Sequence, residues 1–252
     1  MHYVLSDIHG QYNKFLEILK KTEYDSSKDS MYILGDAIDR GPDGIKCLQH
    51  IKNDESMHLI IGNHEDMMIK TYRQRKNRLL YPESWWRIWL QNGSHPTTKG
   101  IKTLSEEEQS DLLDWLETLP LVIPNLVVNG QFYYLVHACN LHYEVEDVLY
   151  YKDATEDDIY TCVWDRFYGT SFFIDYFDKC FSMISPMYKD SVLMFGHTPI
   201  IYTDYAVYED DNKKKPKIVH LVDGRCVNLD CGCACDLRLG CMRLEDSEEF
   251  YA

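Results

Sequence analysis

Five short clusters in this chain carry side chains that bind metal ions or move protons. They are SDIHG with Asp7 and His9, GDAIDRG with Asp36, Asp39 and Arg40, GNHE with Asn63 and His64, VHACN with His137, and FGHTP with His197. Taken singly, each reads as a turn, because Asp, Asn, Gly and His favour the backbone at the end of a strand. Taken together, they end five apolar runs in oxygen or imidazole ligands. Carboxylate and amide oxygens mixed with imidazoles suit Mn, Fe or Zn better than a thiolate-selecting ion. The donors are too many for one catalytic ion with an open position, and about right for two ions sharing a carboxylate. Such pairs stand roughly 3.5–4 Å apart and make water a usable nucleophile near neutral pH. An Arg fork matches the edge of a phosphate, and an imidazole held by a carboxylate can protonate a departing alkoxide.

The elements that must position these clusters emerge from hydrophobic periodicity. HYVLS (2–6), MYILG (31–35) and HLIIG (58–62) read as strands. Between and after them, 11–22 places Tyr12, Phe15, Leu16 and Leu19 on one helical face, Pro42 opens a helix with Ile45, Leu48 and Ile51, and 64–76 is helical. This β-α-β-α-β-α order implies parallel strands with helices packed on them. Ligands in open α/β sheets bind beyond the strands' C-terminal ends, where the polar clusters lie. Asp7 and His9, two apart on an extended strand end, are expected to point the same way. The stretch 77–102, with Trp85, Trp86 and Trp89 ahead of QNGSHPTTKG, reads as a short helix and a loop inserted as a lid or wall. Ser105 and Glu108 form a capping box ahead of Leu112, Leu113, Leu116 and Leu119.

The second half is richer in strands. Two apolar stretches flank Asn129-Gly130 and two more flank Gly224, giving two hairpins. VLMFGH (192–197) is a further strand, 144–158 is an acidic, exposed stretch, and KKKPK (213–217) is a solvated loop. The fold class expected is α/β, with two packed mixed β-sheets flanked by helices in four α-β-β-α layers, spanning 1–252 as a single domain.

Composition narrows the partners. The 252 residues are 45% hydrophobic and 27% charged, ordinary for a globular protein able to bury a core without disulfides. A formal net charge of −15 argues against nucleic acid and against docking on an anionic membrane. No apolar run approaches a membrane span, and the first residues lack a basic start and a long apolar stretch. Nine Cys, five of them between Cys226 and Cys241, are read as free thiols in a reducing cytoplasm. Their alternate spacing in CVNLDCGCAC (226–235) fits one face of a strand better than a zinc site.

The order SDIHG, GDAIDRG, GNHE and two later His resembles the calcineurin-like metallophosphoesterases. Within them it is similar to the phosphoprotein phosphatases of the bacterial and phage lambda type, from residue 3 to about 244. The resemblance implies that Asp7 and His9 hold the first of two divalent ions, most often Mn, and that Asp36 bridges both. It gives Asn63, His137 and His197 to the second ion and the phosphate to Arg40 and to Arg166 of VWDRF. His64 becomes the general acid, oriented by Asp39. Ser6 stands where the family has Gly, Ala138 and Cys139 come after the later His, and Asp236 and Leu237 replace a Gly-rich turn. The implied activity is that of a serine/threonine protein phosphatase, hydrolysing the phosphomonoester of a phosphoprotein or phosphopeptide by direct attack of metal-bound water; the residues themselves do not rank phosphoserine, phosphothreonine and phosphotyrosine. The rival substrate is a dinucleoside tetraphosphate (a bis(5'-nucleosyl)-tetraphosphatase activity), which Glu65 after the Asn-His pair disfavours, since those enzymes carry Asp there. A non-catalytic scaffold is the rival of another class, and it normally lacks a ligand or the acid.

Overall fold

The computed structural model describes residues 1–77, 85–138, 147–167, 170 and 190–252. Three parallel strands, β1 (His2–Leu5), β2 (Ser30–Ile33) and β3 (Met57–Leu59), alternate with helices α1 (Tyr12–Lys21), α2 (Gly44–Lys52) and α3 (Asn63–Asn77). Chain order continues with α4 (Trp85–Gln91), α5 (His95–Ile101) and α6 (Glu106–Glu117). Strands β4 (Pro120–Val128), β5 (Gln131–Val136) and β6 (Leu149–Tyr150) precede α7 (Glu156–Trp164), and β7 (Ser191–Phe195), β8 (Val219–Leu221), β9 (Cys226–Asn228), β10 (Gly240–Arg243) and β11 (Glu249–Tyr251) close the chain.

Two sheets result, ordered β11-β10-β1-β2-β3 and β6-β4-β5-β7-β9-β8. This is the α/β architecture with two mixed sheets that the sequence implies. The second half goes beyond the two hairpins expected from the sequence in two places. The hairpins β4/β5 and β8/β9 are antiparallel, yet β5 runs parallel to β7 and β7 parallel to β9. The C-terminal β10 crosses back to pair antiparallel with β1 in the first sheet. The consequence is functional: β1, β2, β3, β5 and β7 all deliver their C-terminal ends to one edge. There His137 Nδ1 donates to the carbonyl of Leu34 (2.6 Å), tying the second sheet to the first.

Local detail obeys sequence chemistry with some exceptions. The capping box of α6 is present: the Ser105 N–H donates to Glu108 Oε2 (2.7 Å) and the Glu108 N–H to Ser105 Oγ (3.2 Å). Leu112, Leu113 and Leu116 are buried beneath it. Asn129 and Gly130 both take left-handed backbone, as the turn of β4/β5 requires. On α1 the buried pair is Phe15 and Ile18, while Leu16 is exposed; the apolar stripe is centred on the i, i+3 row. The loop expected after α4 is instead helix α5, begun by a Pro in its first turn. Part of the acidic stretch 144–158 starts α7, where Thr155 and Asp158 form a second capping box and Ile159, Cys162 and Val163 are buried. Residues 144–146 and 78–84 lie outside the described residues, as do Cys139, His142 and Cys180. The cysteine-rich run is not one strand: β9 ends at Asn228, and a loop carries buried Cys231 and Cys233 to exposed Cys235. Among the described residues, no helix is long and apolar enough to cross a membrane.

Candidate metal centre

The clusters at the strand ends are held in unusual backbone. Asp7, His9, Asp36, Asp39, Arg40 and His197 all have φ between 47° and 69°. Left-handed backbone costs a residue with a Cβ about 1–2 kcal/mol, so it marks a geometry that the surroundings enforce. It also corrects the reason given for Asp7 and His9: β1 ends at Leu5, and both turn inward through this backbone rather than along an extended strand. Cross-links pin the turns. The His9 N–H donates to the Asp36 carbonyl (2.8 Å), the Gly10 N–H to that of Ala37 (2.9 Å), and the Gly196 N–H to that of His137 (2.9 Å). Any Cβ at Gly62 would meet the Asp36 carboxylate, and at Gly196 it would meet Ser6 and Asp7. Ser6, the family's usual Gly, bonds the Asp7 carboxylate.

Asp36 belongs to two groups of donors. His9, Asp36 and His64 offer atoms within 4.8 Å of one another, as do Asp36, His137 and His197. Its Oδ2 lies 3.5 Å from His9 Nε2, and its Oδ1 lies 3.5 Å from His137 Nε2. Asp7 Oδ1 lies 3.8 Å from His9 Nε2. Asn63 Oδ1 stands 3.2 Å from His137 Nε2 and 3.0 Å from His197 Nδ1. All six residues read as ligands from sequence therefore come together. His64, assigned as an acid rather than a ligand, borders the first group, with its Nε2 3.9 Å from Asp36 Oδ2.

Whether these residues fit cations is decided by where the protons are. His9 Nδ1 faces the Ile38 carbonyl (3.1 Å), His137 Nδ1 the Leu34 carbonyl, and His197 Nε2 the Trp164 carbonyl (3.2 Å). A carbonyl only accepts, so each of these ring nitrogens carries the proton and the other nitrogen presents a lone pair. Burial lowers the basicity of all three rings, which keeps them neutral. The bare nitrogens thus point at carboxylate and amide oxygens with no hydrogen between them, an arrangement a cation satisfies; His9 Nε2 also takes an N–H of Arg40. Asp7 Oδ1 is buried without a hydrogen-bond partner. Burial first, and the Asp7 and Glu65 charges next, push the Asp36 carboxyl well above the usual carboxylate range. The set fits two divalent ions, and the backbone carbonyls behind the imidazoles are the supports expected of metal-binding His.

Above these donors opens a cleft of about 420 Å³, lined among others by Arg40, Asn92, Trp164, Arg166, Tyr202 and Cys235. Arg40 places Nη1 3.2 Å from His9 Nε2 and Nη2 3.3 Å from His64 Nε2. Arg166 Nη1 donates to the His197 carbonyl and to Thr198 Oγ1, both at 3.4 Å. Both guanidinium groups therefore reach the cleft. His64 is fully buried, with Nδ1 2.6 Å from Asp39 Oδ2. Burial lowers the His64 ring and pushes the Asp39 carboxyl up to about 7.

Several residues that serve the site were not legible from the motifs. Glu65 is fully buried and accepts the N–H groups of Asp36 (2.8 Å), Ala37 (2.9 Å) and Gly62 (3.0 Å). It ties two metal loops together and does not line the cleft, so its identity says nothing direct about substrate. Trp89, in the stretch read as a lid or wall, is fully buried and donates its indole N–H to Asp39 Oδ2. The Asp39 N–H donates to Thr97 Oγ1 (3.0 Å), and the Arg40 N–H to the Gly93 carbonyl (3.0 Å). The stretch 85–101 is thus a wall of the site. A buried indole N–H that needs an acceptor was the available signal. His2, His50 and His220 engage Glu245, Tyr12 and Glu249, away from the cleft. Among the described residues, no group placed to hold a metal includes a Cys.

A parallel-edge cage of carboxylate, amide and imidazole donors beneath two guanidinium groups defines a metallophosphoesterase. The chain belongs to the calcineurin-like phosphoesterases, whose family model matches residues 3–219. It is 27% identical over 121 residues to the symmetrical bis(5'-nucleosyl)-tetraphosphatase of Photorhabdus laumondii; the match spans 48% of this chain and 38% of that relative. Its fold is similar to a solved candidate diadenosine tetraphosphatase, with 15% identity and a TM-score of 0.60 over 100% of this chain and 92% of that one. It is also similar to a serine/threonine phosphatase from Saccharomyces cerevisiae, with 14% identity and a TM-score of 0.59 over 100% and 78%.

Proposed function

We propose that this chain hydrolyses phosphate ester and anhydride bonds with two divalent cations, Mn in the first instance, and that its substrate is a dinucleoside polyphosphate, cleaved at a phosphoanhydride. The observation that carries the reaction is Asp36, shared between two donor groups directly beneath Arg40 and Arg166. Asp7, His9 and Asp36 would hold one ion, and Asp36, Asn63, His137 and His197 the other. When bound, such ions lower the pKa of water and neutralise phosphate charge. The chain's own residues do the rest. Arg40 and Arg166 grip the phosphate oxygens through their planar forks and orient the scissile bond. His64 would deliver a proton through Nε2, the nitrogen that here takes an N–H of Arg40, to the leaving oxygen, while Asp39 Oδ2 fixes the ring through Nδ1.

Three observations support the dinucleotide over the phosphoprotein named first by the motifs. The curated relatives carry the tetraphosphatase name, and the buried bonds of Glu65 remove the residue that had weighed against it. The cleft mouth also offers Trp164 and an exposed Tyr202, aromatic faces of the kind that stack on bases. The second reading, a phosphoprotein phosphatase, is favoured by the VWDRF stretch, whose Arg166 reaches the cleft as the motif implies. One comparison separates them: kcat/KM with manganese on diadenosine tetraphosphate, a phosphopeptide and p-nitrophenyl phosphate. Faster cleavage of the dinucleotide is expected; a phosphopeptide cleaved faster by tenfold or more installs the second reading. No hydrolysis of any of the three by the manganese-loaded protein removes both and leaves a scaffold.

A further inference from the structure

Behind the cleft lies a buried carboxylate that no step above uses. Asp66 sits on α3, three residues beyond Asn63, and is fully buried. Its Oδ2 accepts the indole N–H of Trp164 (3.1 Å), and its Oδ1 accepts the Tyr151 hydroxyl (2.8 Å). Lys70 Nζ stands 3.2 Å from the same Oδ1 and lies over the Trp85 ring at 4.7 Å, and Trp85 in turn faces Trp164. A carboxylate taken out of water keeps its charge only with donors and a cation around it, and burial does push this one upward.

Asp66 grips the residue on which two site groups depend. Helix α7 stops at Trp164, and Asp165 continues in extended backbone, so helical register does not hold Arg166 in place. The Trp164 carbonyl receives the proton of His197 Nε2, which leaves His197 Nδ1 bare toward Asn63. Two residues on, Arg166 turns into the cleft. The indole and the carbonyl of Trp164 thus link the first turn of α3 to the ligand after β7 and to the second guanidinium.

We propose that Asp66 is a positioning residue: through the Trp164 indole it fixes the His197 ring for the second cation and aims Arg166 at the phosphate. This role rests on the phosphoesterase reading of the site. The bond then matters to binding and not only to folding.

The test uses the full chain with Trp164→Phe, which keeps the ring and the carbonyl but deletes the N–H, and with Asp66→Leu and Asp66→Asn. Three quantities are measured: manganese affinity by calorimetry without substrate, KM and kcat for p-nitrophenyl phosphate at saturating manganese, and the melting temperature. Loss of a support behind a metal-binding His typically costs 10- to 100-fold in metal affinity or activity. Trp164→Phe is expected to weaken the second manganese about tenfold and to raise KM several-fold with kcat within about twofold, since uniform binding is what is lost. Asp66→Asn, which keeps an acceptor oxygen, should fall between wild type and Asp66→Leu. Wild-type manganese affinity and KM in a folded Trp164→Phe, with only a lower melting temperature, overturns the proposal. If Asp66→Leu does not fold, Trp164→Phe decides alone. If wild type binds manganese but cleaves no ester, the phosphoesterase reading fails while the metal-affinity arm still judges Asp66.

Discussion

Trp89 Nε1 stands 2.6 Å from Asp39 Oδ2, the oxygen that also faces His64 Nδ1 at 2.6 Å. A wall residue and the acid imidazole therefore share one buried carboxylate oxygen. The indole holds that oxygen where the imidazole needs it. Trp89→Phe keeps the ring volume and removes the donor, and hydrogen bonds to charged groups are worth about 1.5–3 kcal/mol. The expected outcome is a kcat reduced about tenfold or more with manganese content unchanged. Wild-type kcat in that variant separates Trp89 from the chemistry.

His64 as proton donor makes a prediction about leaving groups. General acid catalysis contributes about 10²–10⁴-fold when the departing oxygen is basic. His64→Asn should therefore lose about that much on an alkyl phosphate and much less on p-nitrophenyl phosphate, whose leaving group departs without a proton. Equal losses on both substrates would mean that His64 acts on the metals or on binding instead.

Asp39 gives a pH dependence with a defined sign. Burial raises its carboxyl to about 7 in the folded protein, against about 3.9 in an unfolded chain. Between those values the folded state keeps a proton that the unfolded state has released, so stability falls as pH rises. The contribution is fully present below about pH 4 and is lost by about pH 7. In chelator, the stability of wild type relative to Asp39→Asn should fall with pH across that window, by up to about 1.4 kcal/mol per unit. A difference that is flat or rises with pH contradicts the assignment.

Much of this was legible because the chemistry is local. The clusters around Asp7, Asp36 and Asn63 each end an apolar run, and three such runs alternating with helices fix parallel strands. The capping box at Ser105 and the turn at Asn129-Gly130 are short-range signals that the structure carries. What failed was long-range. Nothing in the periodicity of the second half says that β5 pairs parallel with β7, or that β10 returns across the chain to β1. The roles of Glu65 and Asp66 stayed hidden for the same reason: an acidic residue in the first turn of a helix reads as a cap until its partners are seen. Asp7 and His9 were placed side by side for the wrong local reason: Asp and His take left-handed backbone more readily than most residues, but their identity alone does not say where it falls.

The central claim is that Asp36 joins two cation sites at one strand edge, and metal stoichiometry tests it most directly. Titration of the chelated protein with manganese, monitored by calorimetry and checked by elemental analysis, should give two ions per chain in wild type. In His137→Ala, which keeps the first donor group intact, it should give one. A wild-type protein that binds no manganese, or a His137→Ala protein that still binds two, contradicts the shared two-ion centre.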